Sequence, residues 1–228
     1  MQLGGLQKLT LLDFPGRLAC TAFTVGCNFR CPWCHNGSLV RGTAETYDAS
    51  ELLAFLRKRR GVLDGVCISG GEPLLHDTLA DTLRAVKDLG YAVKLDTNGS
   101  FPEKLRQLVE AGLVDYVAMD VKNCREHYGV TVGIPNLDVS PMVESVSYLL
   151  SEPVEFEFRT TVVGQFHNRE NLEALGRWIA GAKRYFLQSF VDGETLLSRG
   201  CTGLSPQEME ALRQAVLPWV PGAELRGT

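Results

Sequence analysis

Three cysteines lie close together near the start of the chain, in the segment GCNFRCPWCHN. Cys27, Cys31 and Cys34 fall within eight residues, and no fourth cysteine is nearby. Three thiolates so spaced can bind three irons of an iron-sulfur cube. The fourth iron would then keep an open coordination position, which is where metal chemistry takes place. The spacing therefore predicts a reactive cluster with these three residues as metal ligands.

Two other uses of these thiols compete with a cluster. A zinc site could combine them with His35, although adjacent residues cannot easily turn both side chains toward one tetrahedral ion. A disulfide would suit a secreted chain, but the cysteine count of seven is odd, and the start MQLGGLQKLT lacks the regions of an export signal. We therefore expect a cytoplasmic protein with reduced thiols, and spacing alone leaves zinc open.

Composition limits the classes to which the chain can belong. Its 228 residues suffice for one large domain, which we expect to span residues 1–228. The net charge is −4, and no apolar stretch approaches the roughly 20 residues that span a bilayer. Neither a membrane protein nor a nucleic-acid binder is expected, because nucleic-acid affinity comes mainly from Lys and Arg. The basic run at residues 57–60 indicates a solvated helix end or a docking patch for an acidic electron carrier.

The elements that must position the cysteines alternate along the chain. Apolar, β-branched runs are separated by amphipathic stretches, so the order is strand then helix, repeated six times. Such units predict an α/β fold, a partial and open (β/α)6 barrel of the TIM type with parallel strands. Ser205, Pro206 and Glu208 predict a capped start for the last helix. The predicted strands are residues 18–25, 65–69, 92–96, 115–121, 154–163 and 184–190.

Polar motifs fall at the carboxyl ends of these strands, where βα barrels carry their reactive groups. GGEP (Gly70–Pro73) follows the second strand, DTNG (Asp96–Gly99) ends the third and MDVK (Met119–Lys122) ends the fourth. Arg159 lies on the fifth strand and Gln188 on the sixth. One rim of the barrel is therefore expected to collect the cysteines and the polar candidates.

This combination resembles the radical S-adenosylmethionine superfamily. The chain has CxxxCxxC with Trp33 before the third cysteine, then GGEP at the next strand end. The resemblance implies one 4Fe-4S cluster, held by the three cysteines, whose open position takes the amino and carboxylate groups of S-adenosylmethionine. No second cluster is expected, because residues 35–64 contain no cysteine.

Residues 5–40, with LDFPG, are similar to activating proteins of anaerobic ribonucleoside-triphosphate reductase, as is YFLQSF followed by residues 193–196. The resemblance implies reductive cleavage of S-adenosylmethionine to a 5′-deoxyadenosyl radical, which generates a glycyl radical on a partner enzyme. That partner would be anaerobic ribonucleotide reductase, with flavodoxin or ferredoxin as electron donor. Two alternatives are a small-molecule enzyme like 7-carboxy-7-deazaguanine synthase and a non-catalytic iron-sulfur or zinc scaffold.

The resemblance also implies which residues meet the cofactor, while no catalytic residue is expected beyond the cluster and cofactor. Glycines in GGEP would admit the methionine amino group, DTNG suits ribose hydroxyls or an ammonium, and the lysine of MDVK would meet the carboxylate. A tight turn and an internal Asp and Lys pair are the alternatives. The implied cofactor-binding residues are Trp33, Gly70, Gly71, Glu72, Pro73, Asp96, Thr97, Asn98, Asp120, Lys122, Arg159 and Gln188.

The remaining cysteines and histidines lack a motif. Cys20 and Cys67 lie within apolar strands and are expected to be core thiols. Cys124, a thiol without an evident base, is expected to be inert, and Cys201 has no assigned role. The histidines His76, His127 and His167 have no metal-ligand spacing, so surface or helix-cap roles are expected.

Overall fold

The computed structural model describes residues 1–193 and 195–227, so Glu194, in the segment similar to the activating proteins, lies outside it. Within those residues nine strands form one sheet in the order β3-β1-β2-β4-β5-β6-β7-β8-β9. The strands are β1 (Gln2–Thr10), β2 (Ala19–Thr24), β3 (Tyr47–Asp48), β4 (Gly65–Gly70), β5 (Ala92–Thr97), β6 (Tyr116–Asp120), β7 (Glu155–Val162), β8 (Tyr185–Ser189) and β9 (Ala223–Arg226).

All six predicted strands form, and their ends differ from the predicted ones by at most one residue. They are β2, β4, β5, β6, β7 and β8, paired in parallel in chain order. Their near-continuous apolar runs are buried on both faces, as in β4, where Val66, Cys67 and Ile68 are all 0% exposed. The linear order leaves the barrel open, which confirms the predicted fold class.

Three strands were not expected from the sequence. β1 pairs antiparallel with β2 and with the two-residue β3, and it contains Gly4 and Gly5, which weaken a strand pattern. β9 adds a parallel strand beside β8, but its four residues are too few to show a period. The described sheet therefore has seven parallel strands and an antiparallel edge at its N-terminal side.

The helices pack around the parallel strands. Ser205 and Glu208 form the predicted capping box, with Pro206 as the first helical residue. Among the described residues, no helix is both long and apolar enough to cross a bilayer. The α-helices are α1 (Gly37–Arg41), α2 (Ala49–Lys58), α3 (Leu79–Asp88), α4 (Pro102–Glu110), α5 (Tyr128–Thr131), α6 (Ser140–Leu150), α7 (Arg169–Trp178) and α8 (Pro206–Val216).

Candidate functional site

A cavity opens at the carboxyl ends of the parallel strands. It encloses about 790 Å³, counting the part open to solvent, which is within the usual size of small-ligand sites. The loop after β2 forms one wall, and β4 to β7 form the other. Most of the site residues expected from the sequence line this cavity, namely Cys27, Cys31, Trp33, Cys34, Gly70, Gly71, Asp96, Thr97, Asn98, Asp120, Lys122 and Arg159.

The three cysteines of the loop after β2 are free thiols on one wall of the cavity. Burial raises the pKa of Cys27 to about 11 and that of Cys31 to about 12, although Lys122 opposes both shifts. These thiols therefore carry protons at neutral pH and would release them on binding a metal.

The position of His35 does not support the zinc alternative, in which this residue joins the three cysteines. Among the described residues, no three His, Cys, Asp or Glu side chains converge on a point that could hold one metal ion. His35 lies instead against the ring of Phe190, with 5.7 Å between ring centroids. An iron-sulfur cube binds each cysteine to a different iron, so its ligands need no common centre. The donor set therefore fits a cluster.

The cysteine loop is held by backbone hydrogen bonds from two other loops. On one side the N–H of Arg30 donates to the carbonyl of Val132, at 2.9 Å. On the other side, the segment after β8 contacts the loop. There Leu197 N–H donates to Cys34 O at 2.9 Å, and Ser198 N–H donates to the carbonyl of Pro32 at 2.8 Å. These bonds position the thiols through tertiary contacts made far along the sequence.

The two glycines of GGEP are required by close packing of the β4 end against the β2 end. A Cβ on Gly71 would lie 1.8 Å from the carbonyl oxygen of Gly26. Gly70 has φ of +111°, and a Cβ there would lie 2.3 Å from the nitrogen of Thr24. The tight-turn explanation is thus sufficient for both glycines, and their contact with a methionine amino group stays a prediction.

Glu72 does not line the cavity but joins two of its loops. Its side chain is fully buried and accepts hydrogen bonds from Leu74 N at 3.0 Å, Thr97 Oγ1 at 2.8 Å and Asn98 N at 2.7 Å. Burial raises the pKa of Glu72 to about 7, against the opposing effect of the three donors. Pro73 and Gln188 are likewise absent from the cavity lining.

Charged side chains form the wall opposite the cysteines. Arg159 Nε donates to Asp120 at 2.8 Å, and its Nη1 lies 3.3 Å from Asp96. Lys122 Nζ donates to the other oxygen of Asp120, at 2.9 Å. Although burial opposes it, Arg159 and Lys122 hold the pKa of Asp120 well below its usual range. The Asp and Lys pair considered from the sequence is therefore present, within a larger network.

Trp33, on the cysteine loop, faces the charged wall. Lys122 Nζ is 5.0 Å from the centroid of its indole ring, within cation–π range. The buried Nε1 of Trp33 has no hydrogen-bond partner among the described residues. The cavity thus combines thiols, a cation over an aromatic ring and an unpaired N–H, which fits a cluster beside a ligand that carries an anionic group.

His167 is not a surface or capping residue, and that expectation was wrong. It is 5% exposed, and its Nε2 lies 2.8 Å from the carbonyl oxygen of Lys122. Since Val163 N–H donates to Nδ1 at 3.0 Å, the ring proton is on Nε2 and is donated to that carbonyl. Burial lowers the pKa of His167. The neutral ring clamps the loop after β6 to the loop after β7.

Cys124 also differs from its sequence interpretation. The thiol lies 3.4 Å from Nδ1 of His127, so a base is adjacent after all. Cys124 is nevertheless 3% exposed, and burial raises the pKa of its thiol, which disfavours the reactive thiolate. Cys20 and Cys67 are fully buried core residues, as expected.

Six residues that line the cavity were not predicted to bind the cofactor, although His35 was considered as a zinc ligand. Thr161 could have been found, because it is two residues beyond Arg159 and a strand returns to the same face with period two. Asn36 Nδ2 donates to the carbonyl of Gly70 at 2.9 Å, a contact with no local signal. The missed lining residues are Phe29, His35, Asn36, Val40, Ser69 and Thr161.

Comparison with known families and proteins gives matches over much of the chain. The Radical SAM superfamily model matches residues 21–179. A protein of Methanocaldococcus jannaschii, provisionally named a glycyl-radical enzyme activating enzyme, is 30% identical over 200 residues, which are 82% of this chain and 78% of that one. The 7-carboxy-7-deazaguanine synthase of Thermoplasma acidophilum is 34% identical over 97 residues, only 42% of this chain and 43% of the enzyme.

A solved structure has a similar fold at low identity. SuiB of Streptococcus suis, bound to its precursor peptide SuiA, matches with a TM-score of 0.73 and 14% identity. The match covers 95% of this chain and 50% of SuiB. Nearly the whole of this chain therefore has the same fold as one half of SuiB.

Proposed function

Because the chain belongs to the radical S-adenosylmethionine superfamily, among relatives that activate glycyl radical enzymes, we propose that its partner is anaerobic ribonucleoside-triphosphate reductase. The observation that carries the activity is the cavity, where three thiols face a wall of partly buried, paired charges. The choice of reductase is supported by residues 5–40 and their LDFPG segment, which resemble activating proteins of that enzyme.

Members of this superfamily use a 4Fe-4S cluster with S-adenosylmethionine, which together would supply reductive sulfonium cleavage. In this proposal the resulting radical abstracts hydrogen from a glycine of the partner. In the proposal Cys27, Cys31 and Cys34 hold the cluster. Lys122 binds the carboxylate of S-adenosylmethionine, because it is a cation on the cavity wall with its ammonium over Trp33. The chain needs no general base for this reaction, since no proton is removed from the glycine.

The remaining lining residues would orient the cofactor. Asp96, Thr97 and Asn98 line the cavity at the end of β5, where a carboxylate, a hydroxyl and an amide suit ribose hydroxyls or an ammonium. Asn98 is held by its own contacts, as its Nδ2 donates to Asn28 Oδ1 at 2.9 Å. Such support keeps binding groups in place before the ligand arrives, which lowers the cost of binding.

The open barrel suits a macromolecular substrate. A glycine within a protein chain must reach the cofactor as part of a loop, and the cavity opens to solvent at the strand ends. We place the activity in one radical S-adenosylmethionine domain spanning residues 1–228, supported by a single sheet whose strands run from Gln2 to Arg226. A cytoplasmic location with flavodoxin or ferredoxin as donor completes the proposal.

An anaerobic activation assay tests the partner. Reconstituted, reduced protein is incubated with S-adenosylmethionine and the reductase, and electron paramagnetic resonance is recorded. A glycyl doublet on the reductase is expected. A matched reductase in which the radical-bearing glycine is replaced by alanine serves as the control and should give no doublet. A doublet only on another glycyl radical enzyme of the same cell would reassign the partner.

A second candidate is a small-molecule enzyme of the 7-carboxy-7-deazaguanine synthase kind, favoured by the partial similarity over 97 residues. Product analysis distinguishes the activating enzyme from the synthase. A synthase would convert a pterin substrate without any partner protein. A scaffold without catalysis would yield no 5′-deoxyadenosine from dithionite-reduced protein and S-adenosylmethionine.

A further inference from the structure

A buried lysine lies deeper in the barrel than the cavity wall. Lys94, in the middle of β5, is 1% exposed, and its Nζ is 3.9 Å from the Sγ of Cys67 on β4. The ammonium forms an ion pair with Oδ1 of Asp96, two residues later on the same face of the strand. Burial of an ammonium group costs free energy unless the group is paired. The ion pair with Asp96 is therefore required for Lys94 to remain charged inside the barrel.

Lys94 is the first of five charges that alternate in sign. Asp96 is shared between Lys94 and Arg159, and Asp120 is shared between Arg159 and Lys122. The three cations and two carboxylates leave one positive charge. The last four members line the cavity, whereas Lys94 does not, and the charges of those four sum to zero. The one positive charge in excess is therefore that of Lys94, which does not itself line the cavity.

Because neighbouring cations share the two carboxylates, the positive charge of Lys94 affects how fully Lys122 is neutralised at the cavity. With Lys94 present, Asp96 has two cations, so Arg159 can direct its Nε to Asp120. Asp120 is then also shared between two cations. The positive charge of Lys122 is therefore only partly neutralised and can attract an anionic ligand. Without Lys94, each carboxylate would neutralise one cation completely. Such effects are strong because charges interact more strongly in a buried site than in water.

We infer that Lys94 is a positioning residue for the carboxylate of S-adenosylmethionine, acting through Asp96, Arg159 and Asp120 on Lys122. The inference rests on the proposed function, since it takes S-adenosylmethionine as the ligand. Lys94 makes no contact with the ligand and serves only to hold Asp96 and to supply the surplus charge. Its neutralisation should weaken the binding of ligands with a carboxylate, and of those alone.

Calorimetric titration of anaerobically reconstituted protein tests this with two ligands, S-adenosylmethionine and its decarboxylated analogue. Lys94→Gln keeps a donor toward Asp96 and removes the charge, whereas Lys94→Met removes both. Each variant should bind S-adenosylmethionine roughly tenfold more weakly, equal to about 1.4 kcal/mol, and should bind the analogue, which carries two positive charges, no more weakly than the wild type does. KM for S-adenosylmethionine should rise by the same factor while kcat is kept.

Cys67→Ala is the matched control, because it removes the other neighbour of the ammonium without changing the charge. It should alter neither affinity by more than about twofold, since a single core substitution away from the wall affects packing alone. If the glutamine variant weakens both ligands equally, or neither, Lys94 is merely structural and the inference is wrong. If the wild type itself binds no S-adenosylmethionine, the proposed function fails instead.

Discussion

Two charged residues on β7, two residues apart and on the same face, belong to very different clusters. Glu157 is 1% exposed and accepts from Arg226 of β9, at 3.0 and 3.2 Å, and from the hydroxyl of Tyr116 at 2.9 Å. Arg159 lies between the carboxylates of Asp96 and Asp120 on the cavity wall.

The two clusters differ in net charge and in their contact with the cavity. The Glu157 cluster pairs one anion with one cation and a hydroxyl, and it ties the last strand to the barrel. The Arg159 cluster has an extra cation and opens onto a cavity. Neighbouring positions on one face of β7 therefore serve different purposes: Glu157 stabilises the fold, and Arg159 helps to form the cavity wall.

Loss of a cluster ligand should have the largest effect and should leave the Glu157 end untouched. Cys31→Ala removes one of three thiols, so the protein should bind no intact cluster and form no 5′-deoxyadenosine. Iron analysis and product chromatography measure this, and circular dichroism should show an unchanged fold. Retained cleavage activity would contradict the assignment of Cys31 as a ligand.

The two charges on β7 should separate stability from binding. Glu157→Gln should lower the free energy of unfolding by about 2 to 3 kcal/mol, because Arg226 loses its anion, with no change in S-adenosylmethionine affinity. Arg159→Met should cost more, about 3 to 5 kcal/mol, and should weaken binding as well, since Asp96 and Asp120 lose their shared cation.

Urea unfolding and calorimetric titration give the two quantities for each variant. Equal loss of affinity in both would mean that the clusters are not distinct in function. Tyr116→Phe, which removes a hydroxyl that bonds Glu157 and Arg184 and leaves the Arg159 cluster unchanged, should cost only about 1 kcal/mol and serves as a mild control.

Glu72 should make stability depend on pH near neutrality. Its pKa is about 7 in the folded protein against an ordinary 4.5, so its contribution is complete below pH 4.5 and is lost as the pH rises through 7. The difference in unfolding free energy between wild type and Glu72→Gln should shrink across that window, by up to about 3 kcal/mol. Urea titrations of metal-free, reduced protein from pH 5 to 8 measure it. A difference independent of pH would refute the assignment.

His167 should also make the stability of the fold depend on pH, but more weakly than Glu72 does and in the opposite direction. Its folded pKa is below the ordinary 6.5, so its stabilising contribution is present above pH 6.5 and is lost as the pH falls. Burial disfavours the charged imidazolium, and protonation would also end the hydrogen bond from Val163 N–H to Nδ1. His167→Gln should flatten the acid limb of the stability profile, and an unchanged limb would show that the ring is not clamped as neutral imidazole.

Local sequence patterns were sufficient for the repeating elements but not for the edges of the sheet. The six strands of the parallel core were predicted because continuous β-branched runs and turn residues are local signals. The capping box of Ser205 and Glu208 is equally local. β1 and β9 were missed, because a glycine-containing edge strand and a four-residue strand exist only through pairing with neighbours.

The candidate site divides in the same way. Cys27, Cys31 and Cys34, with the motifs at the strand ends, follow from residue type, spacing and the rule that one rim gathers the strand ends. Only the tertiary structure shows that Glu72 does not line the cavity, that His167 binds the backbone carbonyl of Lys122, and that Lys94 is buried next to the charged wall. Those outcomes depend on burial and on partners many residues away. Spacing along a chain determines which groups can share a local ligand, whereas charge pairing in a core depends on which strands are neighbours.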